Sequence, residues 1–232
     1  MTHERVAIVT GANRGIGLEV ARQLADRGYT VVLGSRDLSK GEAAAKRLKA
    51  GDRVIARRLD VTVQSTIDLV RDEIAETFGS LHALVNNAAI HYDTWENAVD
   101  ADMQTVHEAL ETNLFGAWRM CQACVPLLRK SGHGRIVNVS SEAGSLASMG
   151  AGAPAYAVSK VALNALTRML AGELRRDRIL VNSICPGWVA TDMGGPGGRP
   201  VREGAASIVW GVELPDGGPT GGFYRDGRPV PW

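Results

Sequence analysis

Short apolar runs rich in β-branched residues alternate with longer amphipathic stretches along most of this chain. That rhythm constrains the fold more than any other feature. The strand candidates are "RVAIVT" (5–10), "YTVVLGS" (29–35), "RVIARRL" (53–59), "LHALVN" (81–86), "GRIVNVS" (134–140) and "ILVNSI" (179–184). A short last strand is expected near "GGFYRD" (221–226). Helical periodicity falls at about 15–27, 40–50, 63–78, 100–130, 155–176 and 202–213. Alternation of this kind predicts an α/β fold, a mostly parallel sheet with helices on both faces. The strands are nearly continuous in apolar residues, which fits a sheet buried on both sides. With 232 residues, 45% of them hydrophobic, the chain is long enough for one large core, and a single domain over 1–232 is expected.

Charge and cysteine usage narrow the function classes. The formal net charge of +1 offers no broad basic field for nucleic acid or an anionic membrane. No apolar run approaches the roughly 20 residues needed to cross a bilayer. The start "MTHERVAIVTG" lacks the basic onset and long apolar stretch of a signal peptide, so a cytoplasmic protein is expected. Three cysteines, Cys121, Cys124 and Cys185, are too few for a disulfide scaffold. "CQAC" (121–124) lies well inside a helical segment, and no histidines are spaced to complete a metal site. It reads as buried structural cysteine, and no metal site is expected.

Three stretches carry chemistry. "TGANRGIG" (10–17) follows the first strand and opens the first helix, where a dinucleotide's pyrophosphate meets a helix N-terminus. Gly11 suits the tight turn, and Gly15 and Gly17 suit close backbone approach and helix packing. In "APAYAVSKVALNALTR" (153–168), Tyr156 and Lys160 stand one helical turn apart on one face. A nearby ammonium favours the phenolate, so this tyrosine is a candidate general acid/base. "MGGPGGRP" (193–200) is almost all Gly and Pro, and reads as a substrate flap at about 193–201 beyond a strand C-terminus.

Taken in order, "TGANRGIG" (10–17), "NNAA" (86–89), "NLFG" (113–116), "NVSS" (138–141), "YAVSK" (156–160) and "CPGWVATDM" (185–193) resemble the short-chain dehydrogenase/reductase family over almost the whole chain. The similarity is to its compact single-domain branch. "GANRGIG", "GSRD" and "PGWVATDM" look most similar to the NADPH-dependent carbonyl reductases within it. The resemblance implies a Rossmann-type doubly wound parallel sheet. It also implies a catalytic set of Asn113, Ser141, Tyr156 and Lys160. Tyr156 would give its proton to the substrate carbonyl, with Lys160 lowering its pKa and holding the nicotinamide ribose. Ser141 would hydrogen-bond the carbonyl oxygen, with Ser140 as the alternative in the doubled serine, and Asn113 would hold a water linking Lys160 to solvent. Donors aimed at that oxygen stabilise the charge that grows there as hydride arrives.

For the cofactor, the resemblance implies Gly11, Asn13, Arg14, Gly15, Ile16 and Gly17 at the phosphates, and Asp60 with Val61 at the adenine. Asn87 and Ala88 would pass beneath the ribose and nicotinamide, with Ala89 where relatives often carry Gly. Tyr156, Lys160, Pro186, Gly187, Val189 and Thr191 would line the nicotinamide side. Where an NAD enzyme wants a carboxylate after the second strand, this chain has Ser35 and then Arg36. Arg36 and Arg14 suit a 2′-phosphate, so NADPH (NADP+) is expected, although Asp37 follows at once. Ser141, Trp188 and Met193 are the expected substrate contacts, with Ile90, Tyr92, Trp95 and Leu146 as further lining candidates. An apolar aldehyde, ketone or quinone is the expected small-molecule substrate. The alternatives are a 3-oxoacyl-carrier-protein reductase, an NAD-linked alcohol dehydrogenase and, in a different class, a non-catalytic nucleotide-binding sensor. The stretch from Ser141 to Tyr156 is far shorter than the insertion of monomeric animal carbonyl reductases. The helices at 100–130 and 155–176 are therefore free to form a homodimer or homotetramer.

Overall fold

The computed structural model describes residues 5–232. Seven parallel strands and one antiparallel edge strand form a single sheet in the order β3-β2-β1-β4-β5-β6-β7-β8. The strands are β1 (Arg5–Val9), β2 (Tyr29–Ser35), β3 (Val54–Arg58), β4 (Ala83–Asn86), β5 (Arg135–Val139), β6 (Leu180–Ile184), β7 (Phe223–Arg225) and β8 (Arg228–Pro229). The helices are α1 (Gly15–Asp26), α2 (Leu38–Leu48), α3 (Gln64–Thr77), α4 (Met103–Leu110), α5 (Ala117–Ser131), α6 (Pro154–Glu173) and α7 (Val201–Val212).

Because successive side chains on a strand point to opposite faces, each strand feeds two cores. On β1, Val6 and Ile8 enter the core shared with α3, α5 and α6, while Ala7 and Val9 enter the one shared with α1 and α7. All four are fully buried, and burying an aliphatic side chain stabilises the fold by about 1.5–3 kcal/mol. The expected α/β class is what the molecule shows. Strand order reverses between β1 and β4, which opens a crevice at the strand C-termini where ligands bind in such sheets.

Three local outcomes differ from the periodicity. The helix expected over 100–130 begins at Met103 and widens into a π-helical turn at Glu111–Gly116 before α5. At Gly116 an added Cβ would stand 2.5 Å from Val61 Cγ2, so the helix runs hard against the loop after β3. The last strand is followed by β8, which Asp226 and Gly227 turn back in left-handed conformations. The Gly/Pro-rich segment is stitched to its own stem. Ala190 N donates to Arg199 O (3.0 Å), Arg199 N to Trp188 O (2.7 Å) and Trp188 Nε1 to Gly194 O (2.7 Å).

Candidate active site

The first βα turn builds one wall of the crevice. Gly11 adopts φ +62°, a left-handed conformation open to glycine without steric cost. It turns the chain so that Ala12 N can reach Gly34 O on β2 (2.9 Å). Thr10 Oγ1 accepts from Asn87 N and Ala88 N (both 3.0 Å), and Asn87 Nδ2 donates to Thr10 O (2.9 Å). The glycine loop and the segment after β4 are thereby locked side by side.

A buried polar chain sets the helix that carries the chemistry. Asn86 Nδ2 on β4 donates to Asn138 Oδ1 on β5 (2.8 Å), and Asn138 Nδ2 donates to Thr167 Oγ1 on α6 (2.8 Å). Thr167 and Ser183 share a further bond across to β6 (2.8 Å). Polar groups this deep are costly unless paired, so the chain fixes how α6 lies on the sheet. The first two turns of α6 then bring Tyr156 and Lys160 to the mouth of β5.

Lys160 is buried and Tyr156 is half-buried. Lys160 Nζ donates to Val139 O (2.8 Å) and lies 5.4 Å from the Tyr156 ring centroid. Burial lowers its pKa to about 8, because the charged form loses hydration. Burial pushes the Tyr156 phenol upward, opposed in part by a hydrogen bond from Ser141. The phenol is therefore held in its protonated form at neutral pH. Ser141 Oγ accepts from Ala143 N (3.2 Å), which orients the hydroxyl, whereas the buried Ser140 Oγ has no hydrogen-bond partner.

Two cavities meet at Tyr156. The larger, about 510 Å³, takes in Gly11, Asn13, Arg14, Gly15, Ile16, Gly17, Arg36, Asp60, Val61, Asn87, Ala88, Ala89, Tyr156, Lys160, Pro186 and Thr191 from the expected cofactor set. The smaller, about 270 Å³, holds the expected substrate contacts Ser141, Trp188 and Met193 together with Tyr92. Ile16, Ser140, Tyr156, Pro186, Thr191 and Met193 border both.

The expected residues divide unevenly between the two cavities. Gly187 and Val189 line the smaller cavity, not the larger, because the chain turns away after Pro186 and the Val189 side chain packs against Gly204 of α7. Ile90 borders the larger cavity, while Trp95 and Leu146 border neither and are exposed. Asn113 borders neither cavity. Its Oδ1 accepts from Ile90 N (2.9 Å), and its Nδ2 donates to Ile90 O (3.1 Å) and Ser159 Oγ (3.0 Å). Cys121 and Cys124 are buried free thiols, with burial pushing Cys121 up to about 12.

Some lining residues escaped the sequence reading. Lys40, in the first turn of α2, borders the larger cavity together with Arg36, which precedes the helix cap Asp37. Asp192 also lines it and pairs with Arg14 (2.7 Å) across the crevice. In the smaller cavity, Glu142 contributes a carboxylate already paired with Arg225 (2.7 Å), and Cys185 contributes a buried thiol.

A strand-turn-helix glycine cradle beside a Ser-Tyr-Lys cluster defines a nucleotide-dependent oxidoreductase. The comparisons agree: the family described as short chain dehydrogenase matches residues 5–199, and the chain belongs to it. It is an enzyme acting on alcohol and carbonyl groups. Among curated relatives, carbonyl reductase (NADPH) 1 of Rattus norvegicus is 33% identical, covering 98% of this chain and 98% of its own. The (+)-neomenthol dehydrogenase of Arabidopsis thaliana is 33% identical over 95% of each. Among solved structures, the NADPH-bound carbonyl reductase from chicken fatty liver superposes with a TM-score of 0.88 at 27% identity, covering 99% of this chain and 100% of that one.

Proposed function

We propose that this protein is an NADPH-dependent carbonyl reductase that converts an apolar aldehyde, ketone or quinone to the alcohol, with Tyr156 as the general acid. The observation that carries the reading is the place of Tyr156. It borders both cavities, with Ser141 hydrogen-bonded to its phenol and Lys160 beneath its ring.

The larger cavity fits a dinucleotide. Gly17 stands where a Cβ would collide with Asn87 Nδ2 (2.5 Å) and Gly11 O (2.8 Å), so only a bare backbone leaves the cradle open. Arg14, Arg36 and Lys40 are among its lining residues, with Asp37, and three cations suit a 2′-phosphate, which favours NADPH over NADH. Asp37 could have argued for NADH. Its carboxylate instead caps α2, accepting from Lys40 N (3.2 Å) and Ser39 Oγ (2.7 Å).

When bound, the reduced nicotinamide supplies the hydride. As negative charge grows on the carbonyl oxygen, Ser141 donates a hydrogen bond and Tyr156 releases its proton to that oxygen. The Lys160 ammonium stabilises the tyrosinate left behind. Asn113 would serve a proton relay to solvent indirectly, since its side chain is engaged with Ile90 and Ser159. The smaller cavity, with Ile16, Tyr92, Trp188, Val189 and Met193 on its walls, suits an apolar substrate. No helix among the described residues is long and apolar enough to cross a membrane.

The test follows NADPH absorbance against a panel of apolar aldehydes, ketones and quinones, with Tyr156→Phe alongside. Turnover by the parent should fall by at least about 100-fold in the variant, the scale of general-acid catalysis. Undiminished turnover by Tyr156→Phe would refute the mechanism. A parent that binds NADPH and reduces nothing offered would favour the nucleotide-sensor reading.

A further inference from the structure

The catalytic helix has an N-terminus that its own sequence does not cap. The residue before it, Ala153, carries no side-chain acceptor and sits at φ +46°, and Pro154 has no N–H to offer. Two orphan donors remain, the N–H groups of Ala155 and of Tyr156 itself. Both are met from a different part of the chain. Asp93 Oδ2 accepts from Ala155 N (2.9 Å) and Oδ1 from Tyr156 N (3.1 Å). The next N–H, of Ala157, returns to Ala153 O (2.8 Å), so one carboxylate completes the helix start. Asp93 is 0% exposed, a rare state for an aspartate, and its negative charge faces the positive end of the helix dipole.

The segment that delivers Asp93 is itself pinned. It runs on from Asn87 and Ala88, which border the larger cavity. Asn113 clasps Ile90 by both backbone groups. His91 Nε2 meets Glu108 Oε2 on α4 (2.8 Å), with His91 held at φ +56°. A histidine stays in that left-handed region only where its surroundings over-determine it. Next, Tyr92 lays its ring edge-on to Tyr156, with centroids 5.1 Å apart and planes at 77°, and borders the substrate cavity. Asp93 closes the segment onto α6.

We propose that Asp93 is a positioning residue for the reaction. Its buried carboxylate ties the segment Asn87–Asp93 to the backbone of Tyr156. It thereby fixes the phenol relative to Ser141 and sets Tyr92 as the wall of the substrate cavity. A displacement of about 1 Å at a reacting group can cost on the order of 100-fold in rate, so the tie acts through geometry without touching substrate. This inference rests on the carbonyl-reductase reading of the same site.

The experiment compares Asp93→Ala, Asp93→Asn and a control, Asp102→Ala. Asp102 caps α4 in the same way, accepting from Gln104 N (3.0 Å), but makes no bond to α6. Each variant is measured for kcat, for KM of a turned-over carbonyl compound, for NADPH binding, for melting temperature and for amide hydrogen exchange at Ala155 and Tyr156. Asp93→Ala is expected to lower kcat by at least about tenfold. NADPH affinity should stay within about twofold of the parent, and exchange should accelerate at both amides. Asp93→Asn keeps one acceptor oxygen and should recover part of the rate. If Asp93→Ala does not fold, Asp93→Asn alone should show the kcat loss. Asp102→Ala should lower the melting temperature without a comparable fall in kcat.

A kcat within about twofold of the parent in the Asp93 variants would overturn the proposal. So would rate losses that merely track melting temperature across all three variants. Should the parent reduce no compound offered, the functional reading fails by itself. The tie is then judged on exchange, and unchanged protection at Ala155 and Tyr156 overturns it.

Discussion

Gly17→Ala puts the cradle to its most direct test, because the position is crowded on three sides at once. A Cβ there would stand 2.5 Å from Asn87 Nδ2, 2.8 Å from Gly11 O and 3.0 Å from Ala12 Cα. Two of these atoms are backbone of the same glycine loop, so no side-chain rotation relieves them. The third holds the loop to the segment after β4 through bonds to Thr10 O (2.9 Å) and Gly11 O (3.2 Å). Overpacking of this sort costs about 1–3 kcal/mol, and each lost hydrogen bond adds about 1 kcal/mol. The smallest consistent total is thus about 2 kcal/mol. The folded protein escapes it by opening the loop outward, which widens the cradle that the phosphates must meet. Binding then has to close the loop again, and about 2 kcal/mol on binding is roughly a 30-fold rise in Kd. If the loop does not relax, the same strain appears as a melting temperature lower by about 4–8 °C, at 2–4 °C per kcal/mol for a domain of this size. Titration of NADPH by fluorescence, with melting curves run in parallel, separates the two. A variant that binds within threefold of the parent and melts at the parent's temperature would refute the reasoning.

Other expectations follow from the same geometry. Arg36→Ala should weaken NADPH binding by roughly 10- to 150-fold, the worth of a hydrogen bond to a charged group, and leave NADH binding nearly unchanged. Parallel titrations of the two cofactors check this, and an equal loss for both would show that Arg36 does not meet the 2′-phosphate. The proposed mechanism uses the Lys160 ammonium, whose pKa burial lowers to about 8, while burial raises the Tyr156 phenol and keeps it protonated. The rate should hold from neutral pH downward to that extent and fall as pH rises through about 8. A pH–kcat profile flat to pH 10 would contradict the assignment. Phe115, Val158 and Met169 are exposed apolar residues on the helical faces nominated for self-association. Light scattering should therefore give a dimer or tetramer mass, and a monomeric mass would remove that reading.

What the sequence made legible divides by how far its cause reaches along the chain. The glycine loop, the Tyr156–Lys160 pair and the doubled serine are local patterns, each visible within a few residues. Continuous apolar runs were enough to locate the central strands, because a strand buried on both faces is largely apolar, whereas the exposed edge strand β8 gave no such signal. Features that depend on distant partners were not legible in this way. Arg135 opens β5 and would be read as a solvated strand end, yet it is 1% exposed. It survives there by donating to Leu214 O from Nε (3.0 Å) and to Asp216 Oδ1 (2.8 Å), carried in by the segment after α7. Asn113 was identified by motif, but its grip on Ile90 depends on a π-helical turn that no hydrophobic period announces. Even the tyrosine shows the limit. The i,i+4 spacing to Lys160 predicts a lowered phenol pKa, whereas the surrounding burial pushes it upward. Burial is a property of the assembled fold, so spacing could place the ammonium near the phenol without showing which influence wins. For a reductase that outcome is the useful one, since the group that must give a proton is kept holding it until charge develops on the substrate oxygen.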